Sequence, residues 1–186
     1  MYKLKHLLSA QDLSREDIYD FIDLAREFKA LNRSDVKKSD SLRGKTVINA
    51  FFENSTRTRT SFEIAAKRLG ADSVNFTAAD SSTKKGETLI DTIRNMQAMR
   101  TDIFFVLRHS CSGAAKFVAA NCDASIVNAG DGLNEHPSQA LLDLFTISEH
   151  KGRIENLNVA IIGDIFRSRV ARSDIWAMRK LGINVR

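Results

Sequence analysis

This 186-residue chain has little proline and little cysteine, and their scarcity excludes several protein classes. Pro137 is its one proline, so no proline-rich linker divides the sequence. The two cysteines, Cys111 and Cys122, lie at opposite ends of a helix predicted over 113–121, where the geometry is unfavourable for a disulfide. Two reduced thiols with no further ligands nearby predict a reducing compartment and no metal site.

Long apolar runs and a concentrated charge of one sign are also missing. The longest apolar runs, at 103–107 and 159–162, are far shorter than a bilayer requires, and residues 1–8 lack the apolar core of a secretory signal. The net charge of +5 is dispersed and forms no basic stripe with interleaved aromatic residues. These features predict a cytoplasmic protein with no membrane and no nucleic acid as partner.

What the sequence does contain is a regular alternation of short apolar segments with amphipathic ones. Continuously apolar strands between amphipathic helices predict an α/β fold, in which a parallel sheet has helices on both faces. The predicted strands are 47–52, 73–76, 103–107, 125–127 and 159–162. The predicted helices are 14–31, 57–69, 88–99, 113–121, 137–150 and 170–181. The first helix begins at Ser14, with Asp17 three residues later in a capping-box arrangement.

The end of the chain predicts a second, incomplete unit. Residues 182–186 have the pattern of a strand that follows a helix, and the strand at 159–162 has too few partners to complete another sheet. We therefore divide the chain into a domain at 1–150 and the truncated start of a second α/β domain at 151–186. We expect the chain to be a fragment of a longer protein.

The most informative segment runs from Glu53 to Glu63, where an apolar strand is followed by a helix. Its sequence, ENSTRTRTSFE, combines five hydroxyl groups with two arginines at the position where a helix begins. Backbone N–H groups, hydroxyl donors and a guanidinium at the positive end of a helix form a phosphate site. Helix capping alone explains one hydroxyl, but not Ser55, Thr56 and Thr58 together with the arginines.

Two other segments suggest a nucleotide-binding site, but neither matches the motif of such a site. Gly163 follows a predicted strand, but the sequence has no Gly-x-Gly-x-x-Gly motif. Gly44-Lys45-Thr46 resembles the end of a phosphate-binding loop, yet position 39 is Ser where that motif requires Gly.

Four further motifs follow the Ser-Thr-Arg-Thr-Arg segment at 55–59 along the chain. They are Lys85-Gly86-Glu87-Thr88, Arg108-His109, His136 to Asp143 (HPSQALLD), and Ser168 to Ser173 (SRVARS). Together these motifs resemble the aspartate and ornithine carbamoyltransferase family, over residues 5–186. The Lys-Gly-Glu-Thr segment and the Leu-Leu-Asp after Gln139 favour the aspartate branch.

The resemblance implies an activity: transfer of the carbamoyl group of carbamoyl phosphate to the amine of L-aspartate, in pyrimidine biosynthesis. It implies no metal and no cofactor. Residues 1–150 would be the carbamoyl-phosphate domain, and residues 151–186 the start of the aspartate domain. Two alternatives stay open: a fragment that binds carbamoyl phosphate without catalysis, and an ornithine carbamoyltransferase.

The resemblance also implies roles for individual residues. Those expected to act in catalysis are Arg57, Thr58, Arg108 and His136. Those expected to bind carbamoyl phosphate are Ser55, Thr56, Arg57, Thr58, Ser81, Arg108, His136 and Gln139. Lys85 and Arg169 are expected to bind L-aspartate.

In this family Ser81 and Lys85 reach the active site of the adjacent subunit. The resemblance therefore implies a homotrimer with shared active sites, to which regulatory chains are sometimes added. Composition alone would assign residues 80–87 to a solvated turn, and Arg108 could equally form a structural salt bridge. The chain departs from the family pattern at Ser138, commonly Thr, and at Arg167, commonly His.

Overall fold

The computed structural model describes residues 4–77, 87–99 and 103–186. Helices and strands alternate along these residues, as the sequence pattern predicts. The helices are α1 (Arg15–Leu31), α2 (Thr56–Arg68), α3 (Leu89–Met99), α4 (Ala114–Asn121), α5 (Pro137–Lys151) and α6 (Arg169–Lys180). The strands are β1 (Thr46–Phe51), β2 (Asp72–Thr77), β3 (Ile103–His109), β4 (Ser125–Asp131), β5 (Asn158–Val159) and β6 (Asn184–Val185).

The larger sheet is parallel and has the strand order β2-β1-β3-β4. Successive residues of β1 pack into different clusters: Ile48 joins one with Phe105, and Val47 joins another with Val106. Both faces of the sheet are therefore buried, which confirms the predicted covered parallel sheet. The register pairs Phe51 with Arg108, so β1 and β3 end side by side at the carboxyl edge of the sheet.

The second core lies between α1, α5, α6 and the small parallel sheet of β5 and β6. Its buried members include Ile18, Leu144, Ala177 and Leu181. The strand predicted at 182–186 is confirmed as β6. The strand predicted at 159–162 is shorter, because β5 pairs over two residues with the two residues of β6. The division into domains at residue 150 stays a prediction.

Local predictions near the chain's start and at its cysteines are confirmed. Ser14 caps α1 and its side chain accepts from the Asp17 N–H, while Asp17 accepts from the Ser14 N–H at 2.8 Å. Cys111 and Cys122 are both free thiols. In the ranges 4–77, 87–99 and 103–186, every helix is too short or too polar to cross a membrane.

Candidate active site

A cleft of about 770 Å³ opens at the carboxyl edge of the larger sheet. Its walls come from the N-terminal turns of α2, α5 and α6 and from the end of β3. The polar side chains that line it are Ser55, Arg57, Thr58, Ser61, Arg108, His136, Ser138, Gln139 and Arg169. Residues far apart in sequence therefore meet where parallel α/β folds bind their ligands.

The N-terminus of α2 has the features of an anion site. Ser55 is the N-cap residue in an extended conformation, and its side chain makes no capping hydrogen bond. The hydroxyl group and the first backbone N–H groups of α2 thus remain available to a ligand. By contrast, the Ser168 hydroxyl at the start of α6 accepts from Ala171 N at 3.1 Å.

Glu53 joins two of the three arginines of the cleft, Arg108 and Arg169. Its Oε1 accepts from Arg108 Nη2 at 2.7 Å and from Arg169 Nη2 at 2.7 Å, and its Oε2 accepts from Arg169 Nη1 at 3.1 Å. The hydrogen bonds from Arg169, with those from Arg108, hold the pKa of Glu53 below its ordinary value although burial opposes this. Sequence reasoning missed Glu53 as a site residue.

Arg108 lines the cleft and also forms a salt bridge, which the sequence had left open as an alternative. Arg108 lies at the end of β3, donates from Nη1 to the Ala129 carbonyl at 3.2 Å, and pairs with Glu53. Its Nε is buried and has no acceptor among the described residues. Arg57, Arg108 and Arg169 outnumber the one carboxylate of Glu53, which leaves the cleft with an excess of positive charge.

His136 presents a neutral imidazole to the cleft. It is the N-cap residue of α5, is 6% exposed, and its Nδ1 lies 3.2 Å from the Ser138 hydroxyl. Burial, followed by the charges of Arg108 and Arg169, lowers the pKa of His136 to about 4. If Ser138 donates to Nδ1, the proton of the neutral ring is on Nε2, which can then donate to a ligand.

A buried polar network fixes the backbone of His136. Its N–H donates to the Ser173 hydroxyl at 2.8 Å, and that hydroxyl donates to Glu135 Oε2 at 3.0 Å. Glu135 also accepts from the Ala10 N–H at 2.7 Å and from the Ser9 hydroxyl. The network therefore ties the start of α5 to α6 and to the N-terminal segment.

Gln139, a further cleft residue of α5, is held by a carboxylate. Its Nε2 donates to Asp143 Oδ1 at 3.0 Å, one turn along the helix. Asp143 in turn interacts with Asp174 of α6, and each of the two aspartates affects the pKa of the other. Sequence reasoning missed both aspartates, although the four-residue spacing of Gln139 and Asp143 signals a contact on a helix.

Some of the predicted site residues lie elsewhere. Thr56 has an exposed side chain and is not among those that line the cleft. Ser81 and Lys85 are outside the described residues, so their predicted roles stay predictions. Arg167 is also away from the cleft wall and forms an exposed ion pair with Asp164 at 3.2 Å.

His109, beside Arg108, packs rather than lines the cleft. Its ring lies 5.4 Å from that of Phe52, and its Nδ1 accepts from the Cys111 N–H at 2.9 Å. Over the part of the chain that the structure describes, no group of His, Cys, Asp and Glu side chains could hold a metal ion.

Comparison with known proteins identifies the family. The model of the aspartate/ornithine carbamoyltransferase family, for its carbamoyl-phosphate-binding domain, matches residues 5–149. The chain belongs to this family. The resemblance to this family that the sequence motifs indicate is therefore confirmed, and so is the predicted α/β fold.

Individual relatives of the family are similar over nearly the whole chain. The aspartate carbamoyltransferase catalytic subunit of Campylobacter hominis is 74% identical over 185 residues, which are 100% of this chain and 60% of the relative. That of Campylobacter curvus is 70% identical over 186 residues. The chain thus spans about 60% of the length of the curated relatives it matches.

Solved structures of the family agree with the fold. Trypanosoma cruzi aspartate transcarbamoylase in complex with carbamoyl phosphate and aspartate has a TM-score of 0.90 and 37% identity, over 97% of this chain and 59% of that one. The catalytic subunit of M. jannaschii aspartate transcarbamoylase has a TM-score of 0.89 and 40% identity, over 98% and 59%.

Proposed function

We propose that the protein is the catalytic chain of an aspartate carbamoyltransferase. It would transfer the carbamoyl group of carbamoyl phosphate to the amine of L-aspartate and release N-carbamoyl-L-aspartate and phosphate, in pyrimidine biosynthesis. One observation carries the proposal: Arg57, Thr58, Arg108, His136 and Arg169 line a single cleft at an uncapped helix N-terminus.

The phosphate of carbamoyl phosphate would bind at the N-terminus of α2. The backbone N–H groups there, the hydroxyls of Ser55 and Thr58 and the guanidinium of Arg57 are all suited to a dianion. The guanidinium of Arg108, which lines the same cleft, offers a further donor. A leaving group held by this many donors is stabilised as its negative charge develops.

The carbonyl oxygen of the carbamoyl group would accept hydrogen bonds from Thr58, Arg108 and His136. His136 is suited to donate as a neutral group, because its pKa of about 4 keeps it uncharged near neutral pH. It would therefore stabilise the oxygen without transferring a proton. Preorganised donors of this kind supply much of the rate enhancement in acyl-type transfers.

The amine of aspartate would attack the carbonyl directly, with one aspartate carboxylate held by Arg169. Orientation of the amine in line with the leaving phosphate then supplies much of the remaining rate. The new C–N bond forms as the C–O bond to phosphate breaks. The departing phosphate accepts the amine proton, so no side-chain base is needed.

The test is an assay of the complete gene product with carbamoyl phosphate and either L-aspartate or ornithine. We expect carbamoyl-aspartate and no citrulline; the reverse would establish an ornithine enzyme. Arg57→Ala should reduce turnover on the order of 100-fold or more, as loss of an oxyanion donor does. Arg43→Ala, which removes an exposed arginine paired with Asp40, should leave turnover unchanged.

A second candidate, a carbamoyl-phosphate-binding module, is favoured by the location of the cleft. Its anion-binding residues lie within 1–150, where the family match also lies. Calorimetry of the 186-residue chain with carbamoyl phosphate, beside the carbamoyl-aspartate assay, separates the two. Heat without product identifies a binding module, and product from this chain alone excludes it.

We also propose a cytoplasmic homotrimer with shared active sites, to which regulatory chains can bind. Support comes from the family resemblance of Ser81 and Lys85. Mixing inactive Lys85→Ala and Arg108→Ala proteins, both as complete gene products, tests the sharing. In a ring of three, random mixing should restore about one quarter of the sites. Sites contained within single subunits would regain no activity.

A further inference from the structure

A buried carboxyl group, that of Asp174, and a half-buried one, that of Asp143, lie on α6 and α5, two helices that pack against each other. Asp174 of α6 is 8% exposed, and Asp143 of α5 is the neighbouring charged group that acts on it. No N–H or O–H donor reaches Asp174 Oδ1 from the described part of the chain. Neither Asp143 nor Asp174 takes part in the proposed reaction.

A buried carboxyl group that has no donor is costly to ionise beside a second carboxylate, so the two groups favour binding one proton between them. Burial raises the pKa of Asp143, but the hydrogen bond that it accepts from Gln139 Nε2 at 3.0 Å opposes this and favours its ionised form. Asp174 has no such donor, and its burial beside Asp143 raises its pKa to about 7. The proton therefore belongs on Asp174, which donates to Asp143.

The ionised Asp143 determines the orientation of the Gln139 amide. A carboxylate can only accept, so it takes the NH₂ end of Gln139 and leaves the carbonyl end for the cleft. Gln139 lines the cleft beside His136 and Ser138. A carbonyl oxygen presented there matches the NH₂ group of a carbamoyl ligand, which must donate.

We propose that Asp143 and Asp174 share one proton and act as a positioning pair, which orients Gln139 to accept from the carbamoyl NH₂. This inference rests on the proposed function and adds two residues to it. When Asp174 loses the proton to solvent, the two carboxylates repel across the α5–α6 contact. Gln139 then loses its defined orientation, and carbamoyl phosphate binds less tightly.

Other titratable groups lie on the helices of the pair and on the segments next to them. His136 on α5 is neutral near pH 7, and Arg169 on α6 is paired with Glu53. Glu149 on α5 is paired with Arg26 and Lys29 of α1, which packs against it. Those on neighbouring segments are Asp131 at the end of β4, Glu135 before α5, and Arg172, Arg179 and Lys180 on α6. No described charge besides Asp143 is a cause of the raised pKa of Asp174.

The test is calorimetry of the complete gene product with carbamoyl phosphate at pH 6.5 and 8.5. For the wild type, the dissociation constant should rise roughly tenfold or more, because the competent protonated fraction falls. Asp174→Asn provides a permanent donor of the same shape, so its affinity should stay within about twofold over this range. Asp164→Asn, which neutralises an exposed carboxylate before α6, should behave like the wild type.

Inorganic phosphate is a matched probe because it has no NH₂ group for Gln139. Its pH dependence should be the same in the wild type and in Asp174→Asn. Should carbamoyl phosphate bind with one pH dependence in both proteins, the positioning pair is wrong and the proposed function stands. Should the wild type fail to bind carbamoyl phosphate at either pH, the proposed function is wrong.

A measurement on the wild type alone covers the case in which Asp174→Asn does not fold. Carbon-13 NMR should show one aspartate carboxyl titrating near pH 7. The side-chain NH₂ resonances of Gln139 should move with the same midpoint. If both aspartates titrate below pH 5, or if the Gln139 resonances do not move, the inference is overturned.

Discussion

At the scale of single residues, Glu53 determines how the cleft arginines are held. It provides two of the three hydrogen bonds of the Arg169 guanidinium, whose third goes to the Gly132 carbonyl, and one of the two bonds of Arg108. It is a positioning residue, because it acts on the ligand through these arginines. Its removal should therefore affect Arg169 more than Arg108.

We expect Glu53→Gln to raise the KM for aspartate on the order of tenfold, with a smaller change in carbamoyl phosphate affinity. The reason is that the neutral amide loses the ion pairs with both arginines, and its NH₂ group cannot accept from a guanidinium; hydrogen bonds to charged groups are worth roughly 1.5–3 kcal/mol each. Steady-state kinetics and calorimetry on the complete gene product measure the two effects. Glu63→Gln removes a carboxylate that pairs with Lys67 at 2.6 Å, away from the cleft, and is the control. Equal effects of the two substitutions would contradict the assigned role.

Gly130 leaves room for the side chains of Arg108 and Arg169. Its φ is +112°, and a Cβ there would lie 3.0 Å from Arg169 Nε and 3.3 Å from Arg108 Nη1. Gly130→Ala should therefore destabilise the fold by about 1–3 kcal/mol and also weaken binding of inorganic phosphate. Urea unfolding and calorimetry give the two quantities.

Gly113→Ala separates backbone strain from displacement of the arginines. Gly113 has a φ of +83°, and a Cβ there would meet nothing within 4 Å. This control should lose stability but keep its phosphate affinity. If Gly130→Ala also kept its affinity, the close approach to the arginines would have no functional effect.

At the scale of helices, α1 and α2 begin with serines that have different tasks. Ser14 completes a capping box, whereas Ser55 makes no side-chain capping bond. We expect Ser14→Ala to cost about 1 kcal/mol of stability and to leave ligand binding unchanged. Ser55→Ala should leave stability nearly unchanged and reduce affinity for phosphate. Thermal unfolding and calorimetry on both variants check this, and a stability loss in Ser55→Ala would show that it acts as a cap.

The elements were predictable because each has a strong local signal. Apolar runs gave β1 and β3, and the Ser14/Asp17 spacing gave the start of α1 to within one residue. β5 was predicted too long, because the ladder with β6 covers Asn158 and Val159, although the Ile161 N–H still donates to the Arg186 carbonyl at 2.9 Å. Pairing depends on tertiary structure, which periodicity in one segment does not contain.

The candidate site was predictable where a helix N-terminus or a strand end carried the residue. Arg57, Arg108 and His136 are of this kind, and the structure brings them to one cleft. Glu53 was missed because its role depends on the register of β1 beside β3. Asp143 and Asp174 were missed because their contact exists only once α5 packs against α6.

At the scale of the whole molecule, two buried groups give the folding stability opposite dependences on pH. The pKa of His136 is lowered to about 4, so the unfolded chain binds its proton more strongly and stability is lost as the pH falls from 6.5 to 4. The pKa of Asp174 is raised to about 7, so stability is lost as the pH rises from 4 to 7. Over most of this range the two effects offset each other in the wild type.

Variants that remove one group should reveal the slope of the other. At about 1.4 kcal/mol per pKa unit, Asp174→Asn should gain up to about 4 kcal/mol over the wild type between pH 4 and pH 7. His136→Gln should lose up to about 3 kcal/mol relative to the wild type across the same range, because the wild type regains stability as its histidine is deprotonated. Urea unfolding at unit pH steps measures both differences, and Asp164→Asn gives the baseline of an exposed carboxylate. Parallel stability curves for the wild type and Asp174→Asn would mean that the aspartate pair holds no proton near neutral pH. The shared proton of Asp143 and Asp174 would then be contradicted.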